Sequence, residues 1–123
     1  MAFDNVAKGK RGEALAEKYL SKRSFKVLTR RFRTRWGEID LIAKNDQEFH
    51  FIEVKYRTQR IFGEPFEAVT AQKIRRLKQC GLAFLSRYPH YEKENMIVYS
   101  ILSITEIEQD LSIEWIRLDP FSD

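Results

Sequence analysis

Residues 36–57 carry the pattern that most constrains the fold of this chain. Residues 36–43 (WGEIDLIA) alternate between apolar and polar side chains, and residues 48–57 (EFHFIEVKYR) have the composition of a returning strand. The Asn-Asp-Gln sequence between them favours a turn. This pattern predicts an antiparallel β-hairpin with Asp46 and Gln47 as its two-residue loop.

That register sets Asp40 directly opposite Glu53 and Glu38 opposite Lys55, on one face. Directly opposed side chains have Cβ atoms about 4.5–5.5 Å apart, where two carboxylates repel each other. A divalent cation such as Mg²⁺ would remove the repulsion, because it binds through carboxylates, waters and phosphates. The alternative is a Glu38–Lys55 salt bridge with Asp40 and Glu53 solvated. A one-residue slip in register would instead send alternate side chains to the other face.

The rest of the chain predicts helices and strands around this hairpin. The expected elements are a helix over 8–23, a strand over 25–33, a helix from near Thr70 to about Arg87, and strands over 96–104 and 112–118. A helix between the third strand and a buried fourth strand indicates a parallel crossover. We therefore expect one α/β domain, residues 1–123, with a mixed central β-sheet flanked by helices.

Both long helices have amphipathic patterns. In the first, Ala16, Tyr19 and Leu20 lie on one side, and Glu13 falls in the first turn of the expected span, where a carboxylate favours the helix dipole. In the second, Thr70 is a good N-cap, with Val69 and Ile74 as a hydrophobic staple. Its apolar stripe, expected to face the sheet, consists of Ile74, Leu77, Gly81, Phe84 and Leu85.

Cysteine and hydropathy patterns exclude several classes of protein. Cys80 is the only cysteine, so no intrachain disulfide or cysteine-based zinc site can form, and we expect it to be buried. No apolar run reaches the roughly 20 residues that span a bilayer, and the N-terminus has no signal-peptide core. We expect a cytoplasmic protein with no membrane association.

The net charge of +4 hides a strong gradient along the chain. Residues 1–35 contain eleven Lys and Arg against three Asp and Glu, whereas residues 90–123 contain two against eight. Clustered cations provide the sequence-independent attraction for phosphates that dominates nucleic-acid affinity. They also discourage edge strands from aggregating, which is a competing explanation for the basic strand at 25–33. We expect a positive strip from Lys8 to Arg35 and Lys73 to Lys78 beside the site, with residues 90–123 on the far side.

A longer set of residues resembles a known family. It comprises Gly12-Glu13-x-x-Ala16, Tyr19-Leu20, Arg33, Gly37-Glu38-Ile39-Asp40-Leu41-Ile42, Phe51-Ile52-Glu53-Val54-Lys55-Tyr56-Arg57, Phe62-Gly63 and Ala68-Val69-Thr70-x-x-Lys73. Together they resemble the bacterial YraN family of endonuclease-like proteins, which is similar to archaeal Holliday-junction resolvases. The Asp…Glu-x-Lys part resembles the PD-(D/E)XK nuclease superfamily. One departure is Ser100, which stands where the family usually has Asp.

The resemblance implies an αβββαβ restriction-endonuclease-like core and metal-dependent hydrolysis of DNA. Asp40, Glu53, the backbone carbonyl of Val54 and Glu13 would hold Mg²⁺ or Mn²⁺. Lys55 would orient the attacking water and stabilise the transition state. Glu38 would orient Lys55 or bind the metal through water.

The resemblance also implies a substrate and partners. Branched or recombination and repair DNA is the substrate class, and symmetric cleavage of two strands implies a C2 homodimer. The residues expected to contact nucleic acid are Arg11, Arg30, Arg31, Arg33, Arg35, Arg57 and Lys73. Two alternatives stay open, a non-cleaving nucleic-acid-binding module that partners a helicase, and a purely structural interaction domain.

Overall fold

A five-stranded mixed β-sheet with helices packed on it forms the architecture, which confirms the expected α/β class. The computed structural model describes residues 2–59 and 71–118, with side chains from Gly9 onward. The elements in chain order are α1 (Ala2–Lys22), β1 (Lys26–Thr34), β2 (Gly37–Lys44), β3 (Glu48–Arg57), α2 (Ala71–Arg87), α3 (His90–Glu94), β4 (Met96–Ile107) and β5 (Asp110–Leu118). The strands lie in the order β1-β2-β3-β4-β5, so β1 and β5 are the edges.

The hairpin between β2 and β3 has the predicted register from Leu41–Ile52 to Lys44–Phe49. The expected pairs Asp40–Glu53 and Glu38–Lys55 lie beyond the end of this ladder and are not formed. The Asn45 side chain accepts hydrogen bonds from the backbone N–H groups of Gln47 and Glu48, at 2.8 and 2.7 Å. This local turn chemistry explains why the register was readable from the sequence.

The second half of the sheet contains the parallel crossover. β3 and β4 are parallel neighbours, and the chain between them contains α2. Glu48 pairs with Met96 at one end of the ladder, and Arg57 pairs with Thr105 at the other. β5 returns antiparallel to β4. The short helix α3, which the sequence analysis missed, lies just before β4, and β4 is longer than expected.

Helix α2 covers one face of the sheet. Its buried residues are Leu77, Cys80, Gly81, Phe84 and Leu85. They pack in a cluster with Ile39, Ile42, Phe49, Phe51 and Tyr99. The predicted stripe and the burial of Cys80 are confirmed, except that Ile74 is only half-buried. The proposed cap and staple at Val69 and Thr70, and the Phe62-Gly63 motif, lie outside the described residues.

Helix α1 covers the opposite face. Ala16 and Leu20 are fully buried against Leu41, Ile52 and Leu102, as the apolar pattern predicted. The helix begins at Ala2 rather than near residue 8, so Glu13 lies in its middle and not in its first turn. The helix-dipole explanation for Glu13 is therefore wrong, because the dipole acts within the terminal turns.

A buried polar chain links β3, β4 and β5. His50 and Ser100 are fully buried, with the His50 Nδ1 and Ser100 Oγ atoms 2.9 Å apart. The Trp115 Nε1–H donates to the same Oγ at 2.9 Å, and His50 Nε2 lies 3.0 Å from Glu48 Oε1. Burial lowers the pKa of His50. The Ser100 hydroxyl bonds to both Trp115 and His50, and the lowered pKa of His50 favours its neutral form. This position therefore needs no acidic side chain.

In the part of the chain that the structure describes, no helix combines the length and apolar character needed to cross a membrane.

Candidate active site at the fork between β2 and β3

The candidate site lies where β2 and β3 separate. The ladder between these strands runs from Lys44–Phe49 to Leu41–Ile52. Beyond it, the Val54 backbone N–H donates to the Asp40 carboxylate, with N and Oδ2 2.8 Å apart. A side chain thus takes the place of a strand carbonyl, and a fork opens with Asp40 on its β2 side.

The Asp40 carboxyl is unusually easy to protonate. Its pKa is raised from 3.8 to about 6, mainly by burial and also by repulsion from Glu53, Glu38 and Glu13, while the Val54 hydrogen bond acts in the opposite direction. Acidic groups from α1, β2 and β3 therefore act on one carboxylate. Such a concentration of negative charge favours either a proton or a cation.

A cavity of about 340 Å³ opens beside Asp40 on the α1 side. Its walls are Gly9, Gly12, Glu13, Asp40, Val54, Lys55 and Tyr56. Gly12 lets α1 approach β3 closely, because a Cβ there would lie 2.6 Å from the Cβ of Tyr56. Glu13, Asp40 and Lys55, which are far apart in the sequence, lie together in the wall of this cavity.

Glu53 and Lys55 form an ion pair along β3, with Nζ and Oε1 3.3 Å apart. They alternate along β3 with Val54 and Tyr56, which pack in the α1 cluster. Lys55 also lowers the pKa of Lys73 in α2, which indicates that these ammonium groups are neighbours. Two lysines and a carboxylate thus lie beside the fork.

Glu38 is diverted from the expected arrangement. Its carboxylate accepts a hydrogen bond from Arg33 of β1, with Nε and Oε2 3.1 Å apart. The alternative in which Glu38 bridges to Lys55 is wrong, since Lys55 pairs with Glu53. Glu38 therefore acts on Asp40 through its charge, while its hydrogen bond goes to Arg33 rather than to Lys55.

Most of the candidate nucleic-acid contacts are engaged in ion pairs. Arg30 and Arg31 each bind a glutamate of α1 through two nitrogens, Glu17 and Glu13 respectively. The Arg35 guanidinium lies 4.5 Å from the centre of the Trp36 ring. Arg57 is half-buried at the end of β3. The basic strip therefore carries its own counter-charges.

The expectation that residues 90–123 lie far from the site is wrong for Glu106. This residue binds Arg11 through both carboxylate oxygens, and its Oε1 accepts a hydrogen bond from the Tyr56 hydroxyl at 2.6 Å. These contacts lower the pKa of Glu106 to about 2. Because β4 runs parallel to β3, its far end returns beside the cavity.

The donor groups suit a hard cation. Asp40 and Glu53 offer carboxylate oxygens, Val54 has a backbone carbonyl, and oxygen ligands of this kind are typical of Mg²⁺ and Mn²⁺. Across residues 9–59 and 71–118, no three His, Cys, Asp or Glu side chains gather as a metal site of their own. Any ion here would need ligands from the backbone, water or substrate.

Sequence reasoning missed Tyr56 and Gly12 as parts of the cavity wall. A glycine inside an amphipathic helix was the available signal, because it costs helix stability and is tolerated where another element approaches closely. Tyr56 gave no such signal, since its role depends on the non-local contact with Glu106.

Taken together, these features define a mixed-sheet α/β protein with an acidic and basic site at a strand fork. Residues 12–112 match the family described as "Uncharacterised protein family UPF0102", and the chain belongs to this family.

Relatives of similar length support the assignment. The chain is 43% identical over 93 residues to a UPF0102 protein of Syntrophomonas wolfei, covering 76% of this chain and 79% of that one. It is 36% identical over 116 residues to one of Geobacter metallireducens, covering 94% and 93%. A UPF0102 protein of Aliivibrio fischeri is 33% identical over 111 residues, covering 90% and 89%.

Proposed function

We propose that this protein is a Mg²⁺- or Mn²⁺-dependent DNA endonuclease that hydrolyses phosphodiester bonds in branched or repair DNA. The observation that carries the proposal is the fork. It holds a half-buried carboxylate with a raised pKa, Asp40, next to a strand bearing Glu53 and Lys55. The resemblance of the Asp…Glu-x-Lys pattern to the PD-(D/E)XK nucleases supports the same conclusion.

Asp40, Glu53 and the Val54 carbonyl would hold the cation, which supplies charge neutralisation at the phosphate and a bound water of lowered pKa. The Val54 N–H fixes the Asp40 carboxylate through a 2.8 Å hydrogen bond. Such fixed orientation limits reorganisation during the reaction.

Lys55 has the positioning role. The ion pair with Glu53 fixes the Lys55 ammonium group, so this positive charge stays beside the fork. Lys55 would orient the attacking water and stabilise the negative charge that develops on the phosphate. The neighbouring Lys73 would bind an adjacent phosphate, because phosphate relieves the repulsion between the two ammonium groups.

A non-cleaving nucleic-acid-binding module, acting with a helicase or another DNA-processing enzyme, is the second candidate. The lack of three gathered ligand side chains in the described residues favours it. The two functions share the basic surface, and they differ in whether the fork binds a cation and cuts.

The test is a cleavage panel on linear, flapped and four-way DNA with Mg²⁺ and Mn²⁺, comparing wild type with Asp40→Asn. Asp46→Asn is the matched control, because Asp46 is exposed in the hairpin loop. We expect wild type and Asp46→Asn to cut, Asp40→Asn to be inactive, and all three to bind DNA. DNA binding without cleavage of any substrate would favour the non-cleaving module. Cleavage by Asp40→Asn at the wild-type rate would assign the activity to another site or a contaminant.

A further inference from the structure

Arg31 has an unusual backbone in the middle of β1. Arg30 pairs with Leu41 and Phe32 pairs with Ile39, so Arg31 and Asp40 occupy the ladder position between them. The φ angle of Arg31 is 50°, in the left-handed region that non-glycine residues rarely adopt within a strand. Such outliers cost free energy and persist at functional sites more often than elsewhere.

The unusual φ has a direct consequence for where the side chain lies. Consecutive strand residues normally point to opposite faces. Here Arg30 and Arg31 both reach α1, binding Glu17 and Glu13. The left-handed residue therefore directs a second guanidinium toward α1 at the ladder position of Asp40.

The partner of Arg31 belongs to the candidate site. Glu13 lines the cavity together with Asp40, whereas Glu17, the partner of Arg30, is not part of its wall. Arg31 binds Glu13 through two nitrogens, with distances of 3.1 and 2.7 Å. While this pair holds, the Arg31 guanidinium neutralises the charge of the Glu13 carboxylate, and the carboxylate points toward Arg31.

The two partners differ in access to solvent. The Arg31 side chain is 47% exposed, and that of Glu13 is 16% exposed. A ligand can therefore reach the guanidinium without entering the cavity. The fork of an Arg side chain binds phosphate with the same two-point geometry that it uses for carboxylate.

We propose that Arg31 is a substrate-responsive latch on Glu13: a DNA backbone phosphate takes the guanidinium, and the released Glu13 turns to the cation site beside Asp40. This inference rests on the proposed nuclease function and adds a mode of control to it. Cation binding becomes tight only when a DNA phosphate occupies Arg31, so the ion and the substrate assemble at the site together.

The experiment measures Mg²⁺ affinity by calorimetry without DNA. Arg31→Gly is the main variant, because glycine adopts a φ near 50° without steric cost. We expect Arg31→Gly to bind Mg²⁺ about 3- to 10-fold more tightly than wild type, since a competing positive charge is gone. Arg30→Ala is the matched control from the same strand and helix, and its Mg²⁺ affinity should stay within about twofold of wild type.

A double-mutant cycle separates release of Glu13 from a general change in charge. In a Glu13→Gln background, the gain from Arg31→Gly should fall below about twofold, because no carboxylate remains to be released. Glu13→Gln alone should bind DNA more tightly, as its Arg31 is available to phosphate. An unchanged Mg²⁺ affinity in Arg31→Gly, or an equal gain in both backgrounds, would overturn the latch.

These outcomes are separable from failure of the nuclease proposal. If wild type cuts DNA and Asp40→Asn does not, while the cycle shows no coupling, the latch is wrong and the nuclease stands. If wild type neither binds Mg²⁺ nor cuts any DNA, the nuclease proposal is wrong and the latch falls with it.

Discussion

The Val54 backbone N–H donates to the Asp40 carboxylate at 2.8 Å, across the point where β2 and β3 separate. A half-buried carboxylate with a hydrogen bond from Val54 and three acidic neighbours lowers stability when it is ionised. The arrangement fits a carboxylate whose negative charge is neutralised by a bound ligand.

Replacing Asp40 by Asn should stabilise the protein in the absence of divalent ions. The amide can still accept the Val54 hydrogen bond, and the half-buried charge is gone. Because the folded-state pKa is raised from 3.8 to about 6, ionisation weakens the wild type as pH rises through this range. The advantage of Asp40→Asn should be smallest near pH 4 and reach about 1–3 kcal/mol above pH 7. Urea denaturation at both pH values measures it.

Asp46→Asn serves as the control for that measurement, and we expect it to leave the unfolding free energy unchanged at both pH values. Added Mg²⁺ should raise the midpoint of wild type but not of Asp40→Asn, because only a state that binds the ion is stabilised by it. An Asp40→Asn protein less stable than wild type at pH 8 would contradict the argument.

Lys55→Ala should separate cation binding from cleavage. Both carboxylates remain, and Glu53 loses its ion-pair partner, so Mg²⁺ affinity should be equal to wild type or higher. Cleavage should fall by at least about 100-fold, because the charge that stabilises the transition state is missing. Single-turnover kinetics and calorimetry provide the two readouts. Lys93→Ala, on the exposed helix α3, should change neither, and wild-type cleavage by Lys55→Ala would remove this lysine from the mechanism.

The sequence predicted the hairpin register because Asn45 and the strand alternation are local signals. It also predicted the crossover and the apolar stripe of α2. It could not predict the Arg31–Glu13 and Arg11–Glu106 pairs, which join residues from separate elements. Nor could it predict the fork, since the end of a ladder depends on how two strands twist against different neighbours.

Two glycines of α1 should respond oppositely to alanine. At Gly12, a Cβ would meet the Cβ of Tyr56 at 2.6 Å, so α1 or β3 must shift. We expect Gly12→Ala to cost about 1–3 kcal/mol of unfolding free energy, as overpacking usually does. At Gly9, a Cβ would meet no atom of the described residues within 4 Å, so Gly9→Ala should gain about 0.5–1 kcal/mol from helix propensity. Thermal unfolding of both variants checks the contrast, and equal shifts would mean that the close approach is absent.

Arg33→Ala should affect DNA binding more than stability. Its side chain is 82% exposed, and an ion pair this exposed contributes little to folding. Loss of one phosphate contact should weaken DNA binding modestly and reduce the slope of log affinity against log salt by about one. Arg87→Ala is the control, because Arg87 ends α2 at the end opposite Lys73. A wild-type salt slope in Arg33→Ala would show that this arginine touches no phosphate.

Ser100→Ala tests whether the hydroxyl at this position has a structural role. The variant would leave the Trp115 Nε1–H and the His50 Nδ1 atom without their shared partner in a fully buried place. Unsatisfied buried polar groups cost about 1–3 kcal/mol, so the unfolding free energy should fall by that amount. Ser103→Ala is the control on the same strand, since Ser103 is also buried and takes no part in the hydrogen bonds that join His50, Ser100 and Trp115. It should change stability by less than about 0.5 kcal/mol.

Mg²⁺ affinity should be unchanged in both variants, because the chain of His50, Ser100 and Trp115 lines no part of the cavity at Asp40. A Ser100→Ala protein as stable as wild type would mean that the hydroxyl is dispensable to the core.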